Sequence, residues 1–363
     1  MVIGVDVREA APERRAGKGR VTAELVLRLA AGSPQDTWLL FSDRRFDWKL
    51  PENCRWRIMP GRGVSWHRRT ARAVNAACDL YFAPTSFLTP RFVRKPVVLF
   101  VHDLVAFSEA AGVGLKGRFM ERTLLRGALR RAAAVVVNSE TTASDLTARY
   151  RHLPPVTVAP LAAGPAFGRK VPADTLLRFR KRHGLPERYV LSVGTIEPRK
   201  NHAALIEAFE GIPKKQRGAT ELVIAGRWGW RHAPVKKALE HASATRVLDD
   251  INDADLPVLY AGATVFCYPS RYEGFGLPVL EAMRSGLPVL VSDTPALREI
   301  AGDAAHYCDP ERVRSIRDGI RALLGSAPRR TRLAKAGRTR AARFSWDRTA
   351  ERVREAISQA SGR

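Results

Sequence analysis

Cysteine is scarce in this chain: four residues in 363, Cys54, Cys78, Cys267 and Cys308, no two of them close in sequence. That spacing excludes a disulfide scaffold, a C-x-x-C zinc cage and a redox dithiol, and it points to a reducing compartment. Long apolar runs are missing too. The most apolar stretch, Pro96 to Phe107, is broken by His102 and Asp103 and is too short to span a bilayer. Val2 to Val7 reads as a first strand running into charged residues, with none of the leader pattern of a basic segment, an apolar stretch and a cleavage site. Acidic residues are the third scarcity, 36 against 61 Lys and Arg, for a formal charge of +25. A balance that basic suits a polyanionic partner: nucleic acid, an anionic membrane or phosphorylated substrates. Of the 61 cations, however, 49 are Arg and 12 are Lys, a skew that a GC-rich genome produces without functional demand. Composition alone leaves both explanations standing.

What is present is an alternation in which helical patterns separate most of the strand candidates. Short β-branched runs at Val2–Val7, Trp38–Phe41, Trp56–Met59, Leu80–Phe82, Val97–Val101, Ala134–Val137 and Val156–Val158 alternate with helical patterns, the signature of βαβ units and parallel sheets. The alternation lapses at Ala159-Pro160-Leu161-Ala162-Ala163-Gly164-Pro165, a stretch suited to a hinge. It then restarts at Tyr189–Val193, Leu222–Ala225, Arg246–Leu248, Val265–Tyr268, Val289–Ser292 and Ala305–Tyr307, and ends in an Arg-laden helical segment from Pro328. The fold expected is therefore α/β, with two Rossmann-like domains, residues 1–163 and 164–345. In doubly wound sheets the ligand sits at the carboxyl ends of the strands, so the expected site is a cleft between the domains.

Two strand ends in the second half carry the strongest signals. After Val265–Tyr268 comes Ser270-Arg271-Tyr272-Glu273-Gly274-Phe275-Gly276-Leu277-Pro278-Val279-Leu280-Glu281-Ala282-Met283. Gly274 and Gly276 permit a tight turn with exposed N–H groups, and Pro278 suits the first turn of a helix that Gly286 ends. Such a helix start favours an anion, and carboxylates on either side of it fit a ligand rich in hydroxyls. After Tyr189–Val193 comes Gly194-Thr195-Ile196-Glu197-Pro198-Arg199-Lys200-Asn201, where Asn201 is read as an N-cap and Lys200 as a cation at a helix start. The plain alternatives are solvated or capping glutamates in the first case and surface cations before a capped helix in the second.

The run Glu273-Gly-Phe-Gly-Leu-Pro-Val-Leu-Glu281, with its Tyr and its Glu-Ala-Met flanks, resembles the signature of retaining glycosyltransferase family 4, a glycosyltransferase group 1 family of GT-B fold. The resemblance covers nearly the whole chain and is densest from Tyr189 to Pro310. It implies that Glu273 faces the donor sugar, that Glu281 holds the ribose hydroxyls, and that Gly274, Phe275, Gly276 and Leu277 border the donor. It further implies that Arg199 and Lys200 contact the donor diphosphate. Thr195 stands where some members carry an arginine, so one phosphate contact of the family is missing. His102, at the end of Val97–Val101, matches a histidine that approaches the reacting sugar, with Asp103 either orienting it or capping the next segment. Gly17 and Gly19 in Gly17-Lys18-Gly19-Arg20 match a glycine-rich loop near the donor phosphates and acceptor, or form a plain flexible loop. Ser139-Glu140, Asp293 and Glu299 resemble further family features, and Ser139 serves equally as an N-cap. The last helix, 346–363, is expected to cross back to the first domain.

The function implied is a retaining, metal-independent glycosyltransferase. It would move a hexose, mannose first, from a nucleotide sugar to a glycan or lipid-linked acceptor in cell-surface polysaccharide synthesis. No cofactor is expected beyond the nucleotide-sugar substrate; the one Asp-x-Asp, Asp253-Ala254-Asp255, reads as a helix start. The expected location is the cytoplasm, at the inner face of the cell membrane, with Arg62–Arg72 and Arg118–Arg131 touching anionic lipid and no specific nucleic acid bound. The rival readings are a phosphorylase or nucleotide-sugar hydrolase of the same fold, and a basic nucleic-acid binder.

Overall fold

The computed structural model describes residues 1–11, 17–108, 112 and 114–362. The β-branched runs become two parallel sheets. The first contains β1 (Val2–Asp6), β2 (Thr37–Ser42), β3 (Cys54–Ile58), β4 (Leu80–Ala83), β5 (Val97–Val101), β6 (Ala132–Val137) and β7 (Val156–Val158), in the order β3-β2-β1-β4-β5-β6-β7. The second contains β8 (Tyr189–Val193), β9 (Glu221–Ala225), β10 (Thr245–Leu248), β11 (Val265–Tyr268), β12 (Val289–Ser292) and β13 (His306–Cys308), in the order β10-β9-β8-β11-β12-β13. Central strands such as β5, β8 and β11 are buried along their whole length, as expected where helices cover both faces of a parallel sheet. The edge strand β3 starts at Cys54 rather than Trp56, because Arg55 and Arg57 point to solvent and hide its start from an apolar pattern.

In each sheet the chain winds outward in one direction and then returns to the other side of its first strand. The carboxyl ends of β1 and β4, and of β8 and β11, thus meet at a switch point where no crossover helix fills the space. The chain divides into two compact units: Met1–Phe107, Val113–Leu161 and Ser345–Arg363 form one, and Ser108–Gly112 with Ala162–Phe344 the other. The last helix, Trp346–Ala360, belongs to the first unit. Ser345 caps it by accepting from the Asp347 N–H at 3.2 Å, and Trp346, Ala350, Val353 and Ile357 bury one stripe of it. Thr349 Oγ1 fixes the helix by donating to the Pro160 carbonyl at 2.5 Å. No helix among the described residues is long and apolar enough to cross a membrane.

Candidate active site

The switch point of the second sheet gathers the residues that follow β8 and β11. Beyond β8 the chain passes Gly194 (φ +151°), whose carbonyl lies so close to Gly226 that a Cβ there would sit 2.0 Å from it. Only glycine lets the loops after β8 and β9 meet backbone to backbone. Pro198–Lys200 then forms one 3₁₀ turn, joined through Asn201 to the helix His202–Glu210. This corrects the capping role expected of Asn201. The junction places it in the left-handed region (φ 60°, ψ 30°), which asparagine tolerates, and its amide donates to the Pro310 carbonyl at 2.8 Å instead of accepting from the helix.

The turn delivers Arg199 and Lys200 to Glu273, which follows β11. Lys200 Nζ lies 2.7 Å from Glu273 Oε1, and Arg199 Nη1 lies 2.7 Å from Glu273 Oε2. Arg199 also bonds Glu197 through Nε (3.0 Å) and Nη2 (2.6 Å), and donates from Nη1 to the Tyr272 carbonyl at 2.9 Å. Lys200 Nζ donates to the Tyr268 hydroxyl and lies 4.7 Å from the centre of that ring. Glu197, Lys200 and Glu273 are all buried. Burial alone would raise the Glu273 pKa, but the Arg199 and Lys200 charges overrule it and hold the carboxyl down at about 2. Burial, with Arg199 next to it, lowers the Lys200 pKa while Glu273 opposes the fall. The cluster has two carboxylates and two cations, a balanced charge set whose members are largely buried.

Gly276 (φ +114°) turns the chain into the helix Leu277–Arg284, and a Cβ on it would strike Leu297 Cδ2 at 2.7 Å. Glu273 through Leu277 are buried rather than exposed at a loop surface. The Phe275 ring packs edge-on against Phe344 at 6.2 Å and Leu277 is buried at the helix start, so both side chains serve the core. One helical turn on, Glu281 is buried at 1% exposure and its Oε2 accepts from the Tyr260 hydroxyl at 3.0 Å. A buried carboxylate that accepts from a phenol can accept from other hydroxyls as well. Asp293, by contrast, is exposed and paired with Arg298. Asp255 precedes the helix Leu256–Gly262 and pairs with Arg182 at 2.8 Å. Glu299 lies within the helix Pro295–Ala301.

In the first unit His102 sits at the end of β5, buried and stacked on Phe100 at 4.4 Å. Its Nε2 is 2.7 Å from the Pro84 carbonyl and must therefore carry the hydrogen, leaving Nδ1 as the acceptor. Burial, then the Lys18 charge, lowers its pKa to about 4, so the ring is neutral near pH 7. Asn138 donates to the His102 carbonyl at 2.8 Å, and Ser139 does cap its helix, accepting from the Thr142 N–H at 2.9 Å. Gly17 and Gly19 do not form a loop. They lie in the first turn of the helix Gly17–Ala31, where Thr22 Oγ1 donates back to the Lys18 carbonyl at 2.9 Å. That turn holds Lys18 Nζ 3.6 Å from Asp103.

Two features escaped the sequence reading. Tyr268 looked like one more apolar strand residue, although its hydroxyl engages Lys200. Asp6, at the end of β1, is buried and gripped by Arg8 through Nε (3.1 Å) and Nη2 (2.9 Å), and the Arg8 guanidinium stacks 3.3 Å from the centre of the Trp66 ring. The available signal was a charged residue inside the apolar run Val2–Val7.

Two doubly wound α/β units, one carrying a glutamate–lysine–arginine cluster at its switch point, have the constitution of a GT-B glycosyltransferase. The model of the glycosyl transferases group 1 matches residues 174–340, a span that contains both glutamates and both cations. The O-antigen chain mannosyltransferase B of Escherichia coli is 32% identical over 285 residues, covering 77% of this chain and 74% of that one. In fold, the sucrose-phosphate synthase of Thermosynechococcus elongatus matches with a TM-score of 0.77 at 20% identity, covering 99% of this chain and 98% of that one. Anabaena Alr3699/HepE, solved in complex with UDP and glucose, matches at 0.75 and 18%, covering 98% and 99%. The chain belongs to the glycosyl transferases group 1, and it is a glycosyltransferase.

Proposed function

We propose that the chain transfers mannose, with retention at the anomeric carbon, from GDP-mannose to a glycan or lipid-linked acceptor during assembly of a cell-surface polysaccharide. The observation that carries this reading is the buried Glu273–Lys200–Arg199 cluster at the β8/β11 switch point; the likeness to a mannosyltransferase over 77% of the chain supports the choice of sugar. Lys200, with Arg199 behind it, answers the charge of the leaving diphosphate, so no metal or other cofactor is needed. Glu281 receives the ribose hydroxyls, and the main chain of Gly274 to Leu277 borders the donor. Glu273 stays ionised and receives hydroxyls of the donor sugar. With both oxygens engaged by cations it is a poor nucleophile, which favours a front-face route over a glycosyl-enzyme. In that route the anomeric C–O bond breaks with its electron pair passing to the phosphate oxygen. The acceptor oxygen bonds the same face, and its proton passes to the departing phosphate. The neutral His102 offers Nδ1 as acceptor to a hydroxyl of the reacting sugar.

A lipid-linked acceptor places the enzyme at the inner face of the cell membrane. A thermal-shift screen of GDP-, UDP- and dTDP-sugars tests the donor: GDP-mannose at about one hundred times its Kd adds about 2.7 kcal/mol of stability. If no nucleotide sugar stabilises the chain, the reading fails. If another one does, the sugar assignment fails and the class stands. Product analysis with and without acceptor separates transfer from phosphorolysis and hydrolysis.

A further inference from the structure

One carboxylate of the first unit is half-buried and yet unclaimed. Glu121, on the helix Leu115–Leu129, forms no ion pair and accepts no hydrogen bond among the described residues. The ordinary partner of a helical glutamate is a cation three or four positions away. Arg118 stands at that distance and Arg122 is the next residue, but both are drawn off: their Nε atoms donate to the Ala106 carbonyl at 3.3 and 3.1 Å, and the Arg122 guanidinium stacks 4.5 Å from the centre of the Phe107 ring. Burial raises the Glu121 pKa, with Lys18 opposing the rise and Asp103 adding to it. A carboxylate left in this state costs stability, and such groups gather where a ligand is met.

The two charges that act on Glu121 locate it. Asp103 follows β5 directly after His102: its Oδ1 accepts from the Val105 N–H at 3.2 Å, and its Oδ2 lies 3.6 Å from Lys18 Nζ. Lys18 stands in the first turn of Gly17–Ala31, and its charge reaches both Glu121 and His102. His102 is only 7% exposed, and its Nδ1 has no partner among the described residues. The helix after β1, the end of β5 and the helix leading to β6 thus bring an unpaired carboxylate, an ion pair and an unpartnered ring nitrogen to the carboxyl edge of the first sheet. Lys18, Asp103 and Glu121 together carry one net negative charge, in a chain whose total is +25.

We infer that Glu121 binds the acceptor: its carboxylate receives hydroxyls of an uncharged sugar, Lys18 donates to an oxygen of the same ring, and the net negative charge turns away an acceptor sugar that is phosphorylated. An ionised carboxylate accepts several hydroxyls at once, and each such bond is stronger than one between neutral groups. A phosphate brought to the same place meets like charge that a single lysine, already beside Asp103, does not cancel. The inference rests on the proposed glycosyl transfer and names the class of its acceptor at the sugar that takes up the transferred residue.

The test gives the full chain the nucleotide sugar that stabilises it and a panel of methyl glycosides of mannose, glucose, galactose and N-acetylglucosamine beside their 6-phosphates. The wild-type chain transfers to a neutral glycoside and uses the matching phosphate at least about tenfold less efficiently. Glu121→Gln, which keeps the shape and removes the charge, raises the acceptor KM about tenfold while kcat falls by a smaller factor, and it narrows the gap to the phosphate. The variant melts at or above the wild-type temperature, because an unpaired charge has left a half-buried position. Its thermal shift with donor stays at the wild-type value. An acceptor KM that does not move overturns the inference, and so does a variant that melts lower with a normal KM, which would make the residue structural. A wild-type chain that uses only the phosphates, or none of the neutral glycosides, overturns it as well. A chain that no nucleotide sugar stabilises fails earlier, at the donor, and removes the proposed function itself.

Discussion

Glu273→Gln removes one charge, keeps the shape, and leaves Arg199 and Lys200 facing a neutral amide. In the wild-type chain the fall of the Glu273 pKa from 4.5 to about 2 reflects a net attraction between carboxylate and cations of about 3 kcal/mol after its own desolvation. Donor-free, the variant should lose about that much stability. For a unit of this size the melting transition then falls by about 8 °C. Ligand binding moves the other way. In the free enzyme the carboxylate competes with a diphosphate for Lys200 Nζ and Arg199 Nη1; without it, GDP binds about tenfold more tightly while sugar transfer falls by about two orders of magnitude. Calorimetry measures both ends: the melting endotherm without ligand, and titration with GDP. Because the carboxyl is held below its ordinary range, its contribution is complete above pH 4.5 and fades only as pH falls toward 2. The difference between wild type and variant is therefore constant from pH 6 to 8. A variant that melts with the wild type and binds GDP no better would refute the reasoning.

Glu281→Gln, which keeps the Tyr260 contact but loses the charge, should weaken the nucleoside diphosphate by about tenfold; Tyr260→Phe should weaken it less, since it removes one hydrogen bond to the carboxylate and keeps the charge. Equal affinity in both variants would show that Glu281 meets no ribose. His102 and His202 are buried with their pKa values pushed down to about 4 and about 3, so the unfolded chain binds their protons first. Their stabilisation is whole above about pH 6.5 and is lost as pH falls toward those values, at a cost of about 2 kcal/mol each by pH 5. Urea unfolding at pH 7 and pH 5 reads this, and the slope should shrink in His202→Leu.

Both sheets were legible in the sequence because central parallel strands are buried on two faces and so appear as unbroken apolar runs. β3 blurred because an edge strand shows arginines to solvent. Within the site, Glu273, Lys200 and Arg199 were legible as charged residues at strand ends, where the topology puts ligands. What pairs with what was not. Glu197 is two residues from its arginine and needed a 3₁₀ turn to reach it, and Tyr268 is polar by one atom that a pattern of apolar positions cannot register. Asn201 and Gly17–Gly19 misled for one reason: capping and loop chemistry was read where the backbone instead joins two helical turns through one left-handed residue, or begins its helix on the glycine itself.

The excess of arginine has a second destination besides phosphate and lipid. The last carbonyls of a helix lack partners, and a guanidinium can bridge two of them while answering the negative end of the dipole. Arg330 Nη1 donates to Leu323 and Leu324, each at 2.8 Å, closing the helix Val313–Leu324. Arg340 donates from Nε to Ile300 (2.9 Å) and from Nη2 to Glu299 (2.5 Å), closing Pro295–Ala301. Arg180 bridges the Glu187 and Gly262 carbonyls, and Arg284 reaches that of Phe167. These cations need no anion, so an acid count cannot balance them. Arg340→Ala should therefore cost about 2 kcal/mol by losing two charge-assisted bonds on a half-buried helix end. Arg340→Lys should recover about half, because an ammonium lacks the planar fork that spans two carbonyls. Urea unfolding of both variants measures the cost. Donor affinity and turnover should stay at wild-type values. Unchanged stability in Arg340→Ala, or a loss of donor affinity alongside normal stability, would return this part of the +25 charge to ligand binding and away from the scaffold.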